Sequence, residues 1–187
     1  MDRWRHVLTE HSSQLPPWIH LYSSIGVARG LELGQDLGNL TRPGIGLYGY
    51  YAEALHAEVK PVLHWFAKVV KMRALAAGEH VGYGGTFHAQ KATTAATLAV
   101  GYADGLCRSV SSQKLGGIDR GRLVLGRISM DLTVVEGSGL KEGQWFQILG
   151  ASPEQGYELA RQSQTIVYEL LTGLSQRVPR VYSVASR

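Results

Sequence analysis

VVKMRALAAGEHVGYGGTF, residues 69 to 87, changes character halfway along. Val70, Met72 and Ala74 alternate with Lys71, Arg73 and Leu75, the period of two that sends successive side chains to opposite faces of a strand. Gly82, Gly84 and Gly85 then enclose Tyr83. Glycine clusters mark tight turns and close backbone approaches, so a bulky phenol is carried at a hairpin end with little neighbouring bulk to pack against. Taken alone, Tyr83 is a half-buried aromatic. The same strand signature, bounded by glycine, recurs in TTAATLAVGYADG (93–105), GRLVLGRISMDLTVVEG (121–137) and GQWFQILG (143–150). This half of the chain is therefore expected to be a β domain. Its last part turns helical: Ser152, Pro153 and Glu154 begin one helix, and TIVYELLTGLS (165–175) forms a second with Ile166, Leu170 and Leu171 on one side. RVPRVY (177–182) is expected to close the domain as a strand.

Upstream, the pattern is different. Residues 2–11 suit a short helix that HSSQLPP (11–17) breaks, because its prolines remove donors and bias the residue before them to extended backbone. WIHLYSS (18–24) has the composition of a buried strand, Ser24 is placed to cap the helix IGVARGLELGQ (25–35), and LTRPGIGLYGY (40–50) supplies a second apolar strand. Residues 18–50 thus predict a strand, helix, strand unit of an α/β layer.

Composition bounds the function. The 187 residues are 44% hydrophobic and 18% charged, as in a soluble globular protein of one or two domains. The net charge of +4 and pI of 9.3 come from scattered residues, the densest group being Lys68, Lys71 and Arg73. That spread argues against nucleic acid and suits a bound anion or an acidic small molecule. The single Cys107 excludes an internal disulfide and fits a reducing cytoplasm. No apolar run approaches the roughly 18 residues of a membrane span, and MDRWRHVLTEH has no signal-peptide core. His6, His11, His20, His56, His64, His80 and His88 form no pair at helical spacing and have no cysteine partners, so no metal site is expected.

Taken in order, IHLYSS (19–24), RPGIGLYG (42–49), VGYGGTF (81–87), GYADG (101–105), GRISMD (126–131), YELL (168–171) and RVPRVY resemble one family. The chain from about residue 15 is similar to the C-terminal half of alanine racemase, a pyridoxal-phosphate enzyme. The resemblance implies an α/β remnant of a (β/α)8 barrel over residues 1–55, followed by a mainly β C-terminal domain over 56–187. It also implies roles. Ser24, Gly44 and Ile45 bind the phosphate of pyridoxal 5'-phosphate, as loops after late barrel strands commonly do. Without the motifs, Ser24 is a plain helix cap and Gly44 a turn glycine. Arg42 matches the arginine at the cofactor's pyridine nitrogen, and His20 the histidine that supports it. A guanidinium keeps its proton near neutral pH, so the ring stays a weaker electron sink, which favours prompt return of the α-proton.

Tyr83 matches the family's second acid/base, opposite a Schiff-base lysine. An unperturbed phenol ionises at about pH 10, so this duty requires neighbouring cations or hydrogen bonds that favour the phenolate. Met130 matches the position whose backbone amide binds the substrate carboxylate, and Tyr102, Arg108 and Asp131 match residues that line substrate access. In the family the tyrosine reaches the other subunit's site, implying a head-to-tail homodimer. The implied setting is a cytoplasmic one, with alanine as substrate and D-alanine made for peptidoglycan of the bacterial cell wall.

The departures matter equally. Lys60, Lys68, Lys71, Lys91, Lys114 and Lys141 are the lysines present, and none matches the Schiff-base motif. A full barrel takes about 250 residues, so an N-terminal barrel half is expected from elsewhere and this chain alone is expected to be inactive. Ser23 stands where the family often has asparagine, and Gln176 where some members place a phosphate-binding tyrosine. The alternatives are a non-catalytic β interaction module and a fragment of a broad-specificity amino-acid racemase. GYADG with GRISMD argues against a related basic amino-acid decarboxylase.

Overall fold

A computed structural model describes residues 2–33, 38–51, 59–116 and 121–183. The chain divides into two units, Met1–Val62 and Leu63–Arg187. The boundary expected between residues 55 and 56 falls within 52–58, outside the described residues, as do Gly34 and Gln35 of the expected first-unit helix.

In the first unit, α1 (Asp2–Glu10) is followed by β1 (His20–Ser23), α2 (Ser24–Leu33) and β2 (Leu40–Arg42). The two strands pair in parallel, His20 opposite Leu40 and Ser23 opposite Arg42, with α2 as the crossover such a pair needs. Asn39 secures the start of β1: its Oδ1 accepts from the Ile19 N–H at 2.8 Å and its Nδ2 donates to the Pro17 carbonyl at 2.8 Å. The apolar stretch expected as a strand over 40–50 is one only as far as Arg42. Pro43 offers no ladder donor, and Ile45–Tyr48 coil into a 3-10 turn instead. β1 is also less buried than its composition suggests, since His20 and Ser23 are exposed.

The second unit is built on β3 (Trp65–Leu75), β6 (Thr93–Leu98), β9 (Thr133–Glu136) and β10 (Trp145–Leu149), an antiparallel sheet in the order β10-β3-β6-β9. Short pairs add β4 (His80–Val81) with β5 (Phe87–His88), and β7 (Lys114–Leu115) with β8 (Arg122–Leu123). β3 buries Trp65, Ala67 and Val69, then its register against β6 shifts between Val69 and Lys71, and Leu75 is the next buried residue. An irregularity of this kind twists a strand and changes which side chains face inward. The expected strand is present, but along its alternating stretch Val70 and Ala74 are exposed and Met72 is half-buried.

Leu75, Ala89, Ala95 and Leu125 form a buried cluster, and Val81 and Phe87 pack on it. That contact fixes the base of the β4–β5 hairpin. α3 (Pro153–Gln162) starts as expected, with Ser152 Oγ accepting from the Gln155 N–H at 3.4 Å and proline in the first turn. α4 (Val167–Thr172) buries Val167 and Leu170, while Ile166 is exposed. RVPRVY is not a strand. Arg180 instead donates to the carbonyls of Leu174, Ser175 and Val178, and Pro179 has no N–H to give a ladder.

Candidate functional site

Ser24 is the first residue of α2 and is 3% exposed. Among the described residues its Oγ accepts not from the helix but from the Gly44 N–H at 2.8 Å and the Gly46 N–H at 3.1 Å. Two accepted bonds leave the hydroxyl proton to be donated. Ile45 opens the 3-10 turn, so its N–H has no partner inside it. A Cβ on Gly44 would meet nothing within 4 Å, whereas one on Gly46 would meet the Tyr51 ring at 2.6 Å. The side of the turn at Gly44 is open. Arg42 ends β2, exposed, and His20 begins β1, also exposed. Among the described residues no hydrogen bond joins His20 to Arg42.

In the second unit, Tyr83 stands at the tip of the β4–β5 hairpin and is 70% exposed. The tip turns through Gly82 at φ +81°, Gly84 at φ +72° and Gly85 at φ +56°, a left-handed run open to glycine. Below the tip, backbone meets backbone: a Cβ on Gly82 would come within 2.8 Å of Arg127 N, and one on Gly126 within 2.6 Å of the Val81 carbonyl. The hairpin is thus seated on the start of GRISMD, and the Arg127 guanidinium lies alongside Gly84.

The rest of GRISMD meets GYADG. Tyr102 N–H donates to the Ser129 carbonyl at 3.1 Å and Ala103 N–H to the Met130 carbonyl at 3.0 Å. Gly101 lies so close that a Cβ there would be 2.3 Å from Met130 O. Beneath them, Thr133 Oγ1 donates to the Val100 carbonyl at 2.7 Å, fully buried. Asp104 Oδ2 accepts from the Gly101 N–H at 2.8 Å and stiffens its own turn. Met130 is 53% exposed, and among the described residues no hydrogen bond takes up its N–H.

Tyr102, Met130 and Asp131 are therefore brought together, and Tyr83 is mounted on the same GRISMD segment. Arg108 lies on its own 3-10 turn, exposed, and no side-chain hydrogen bond among the described residues ties it to the others. Sequence reasoning misses Arg177. Its Nε donates to Asp104 Oδ1 and its Nη2 to Asp131 Oδ1, both at 2.7 Å. The Asp104 and Asp131 carboxylates raise its already high pKa further. Such a link between positions distant in sequence leaves no periodic signal. Among the described residues no helix is long and apolar enough to cross a membrane, and no three His, Cys, Asp or Glu gather as metal ligands would.

Residues 62–182 match the model of the family described as alanine racemase, C-terminal domain. The chain is 42% identical over 160 residues to the catabolic alanine racemase of Agrobacterium fabrum strain C58, covering 82% of this chain and 41% of that protein. It is 41% identical over 168 residues to the alanine racemase of Ruegeria sp. strain TM1040, covering 88% and 48%. Its fold superposes with a TM-score of 0.80 and 29% identity on the crystal structure of alanine racemase from Bartonella henselae with covalently bound pyridoxal phosphate, over 97% of this chain and 52% of that one. The chain spans about half the length of the relatives it matches.

Proposed function

The chain belongs to the alanine racemase family, and from that premise we propose that it is the C-terminal part of a pyridoxal-phosphate-dependent enzyme interconverting L- and D-alanine. The observation that carries this reading is Tyr83, an exposed phenol on a glycine tip whose base is locked to GRISMD. Racemisation needs an acid/base on each face of the α-carbon. In this reading the Tyr83 Oη takes up or delivers the proton on one face, at an active site completed by a head-to-tail partner. The other base is a lysine that no lysine motif of this chain supplies, so the chain is inactive until joined to a barrel half that carries it. The Met130 N–H receives the substrate carboxylate, and Tyr102, Arg108 and Asp131 line the approach.

The residues of the first unit fit a phosphate. The open side at Gly44 leaves room for a phosphate, and the donor proton left on Ser24 and the Ile45 N–H, which no hydrogen bond among the described residues takes up, are neutral donors a phosphate oxygen accepts from; the Gly44 N–H itself is given to Ser24. Arg42 is the residue for the pyridine nitrogen and His20 the one that supports it. When bound, pyridoxal phosphate supplies an electron-withdrawing ring that stabilises negative charge at the α-carbon. Residues 1–55 then count as the end of a barrel and 56–187 as the β domain. D-alanine for the cell wall, made in the cytoplasm, is the use that follows.

The test is Tyr83→Phe in an enzyme completed by pairing this chain with an N-terminal barrel half. Racemisation is expected to vanish in both directions, while the yellow absorbance of bound cofactor persists. Full two-way racemisation by the variant would overturn the role of Tyr83. A completed wild-type enzyme that racemises several amino acids equally would replace alanine with a broad substrate class.

A further inference from the structure

Arg177 joins two turns that the sequence keeps far apart. Asp104 holds the 101–105 turn through Oδ2 and offers Oδ1 to Arg177, while Asp131 follows Met130 directly. A planar guanidinium serves two carboxylates in fixed directions, which a single ammonium cannot do. The backbone that carries Arg177 is itself held down. Ser175 N–H donates to the Asp104 carbonyl at 3.1 Å, and Arg180 gathers the carbonyls of Leu174, Ser175 and Val178. Gly105, at φ +107°, fits under this segment, since a Cβ there would be 2.6 Å from Gly173 O.

The clasp thus ties the 101–105 turn, whose Ala103 N–H donates to the Met130 carbonyl, to the residue directly after the exposed Met130. Two unbalanced carboxylates, one directly after Met130 and one in the turn bonded to its carbonyl, would repel an anion arriving at the Met130 N–H; a cation shared by both halves their net charge and weakens that repulsion. The exposed arginine is itself well solvated, so its geometry matters more than its charge at a distance.

We propose that Arg177 is a positioning residue for a carboxylate-binding edge: by clasping Asp104 and Asp131 it fixes the backbone at Met130 and offsets part of the negative charge that would repel an incoming carboxylate. This rests on the reading that Met130 N–H receives the substrate carboxylate, but the clasp is testable without it.

The first measurement is amide hydrogen exchange on the 187-residue chain, comparing wild type, Arg177→Gln and Arg177→Lys. The Tyr102 and Ala103 amides are expected to exchange about tenfold faster in Arg177→Gln, with Arg177→Lys intermediate and the β3–β6 ladder unchanged. Unchanged exchange at Tyr102 and Ala103 overturns the proposal, as does an equal rise across the ladder, which would mean only global destabilisation. The second measurement is steady-state racemisation by the enzyme completed with a barrel half. Arg177→Gln is expected to raise KM for alanine about tenfold with kcat within about twofold. A loss in kcat at constant KM overturns the carboxylate role. If the completed wild-type enzyme does not racemise alanine, the racemase reading fails, and exchange alone decides whether Arg177 holds the edge.

Discussion

Gly82 meets two demands at once: φ of +81° and the Arg127 amide nitrogen 2.8 Å from where a Cβ would be. Gly139 meets only the first, with φ +75° and open space around it. Gly139→Ala should therefore cost about 1 kcal/mol, the strain of a left-handed backbone alone. Gly82→Ala should cost clearly more and unseat the tyrosine tip. Urea unfolding midpoints of the two variants check this, and equal midpoints would mean that the hairpin does not depend on its contact with Arg127. The glycine run around Tyr83 was legible in the sequence because φ > 0 selects a residue type. Arg177 was not, because nothing local distinguishes an arginine that clasps two distant aspartates from one that is merely solvated. Ser24 was half legible: a serine between strand and helix suggests a hydroxyl at work, but not that it accepts from Gly44 and Gly46.

Among the elements, β8 and β9 are linked by an ion pair, Arg122 Nη1 to Glu136 Oε2 at 2.7 Å, with both side chains about three-quarters buried. Burial alone would raise the Glu136 carboxyl, but hydrogen bonds from Ser138 and Arg122 outweigh it and hold it below its ordinary 4.5. A carboxylate depressed in the folded state adds stability above its unfolded value, and that stability is lost as pH falls through the folded one. Wild type should therefore lose more thermal stability than Glu136→Gln on going from about pH 6 to about pH 3. Melting temperatures at both values check it; parallel losses would show that the pair contributes nothing.

The strands were legible as elements and less so in phase. Periodicity located β3 but left open which side faces inward; Trp65, Ala67 and Val69 are buried, the register against β6 shifts after Val69, and Val70 to Ala74 are not buried. RVPRVY has the composition of a strand, yet Arg180 takes up the Val178 carbonyl within it and the Leu174 and Ser175 carbonyls before it, and Pro179 has no N–H to donate.

At the scale of the molecule, the two units differ in what holds them. Leu63–Arg187 contains a four-stranded sheet and most of the large fully buried side chains, among them Leu98, Leu106, Ile128 and Ile148. Among the described residues Met1–Val62 has one parallel pair, with all three residues of β2 exposed, and parallel strands are stable mainly when covered on both faces. Limited proteolysis should therefore cut within residues 1–62 first and leave a resistant product close to 63–187. Mass spectrometry of the time course checks it, and first cuts inside the four-stranded sheet would contradict the assignment of stability. An α/β layer followed by a β domain is read from strand and helix periods, while the barrel, like the family, follows from the order and spacing of short motifs.

The seam between the 101–105 and 126–131 turns sets terms for how this protein can vary. It is made by Tyr102 and Ala103 amides on the Ser129 and Met130 carbonyls, with Gly101 pressed against the same backbone. Main-chain contacts ignore side-chain identity, so positions 102, 103 and 129 are free to change residue type as far as the seam is concerned. Length is another matter: one residue inserted into either turn would slide every donor past its acceptor, so the two turns can be exchanged between proteins only as a matched pair.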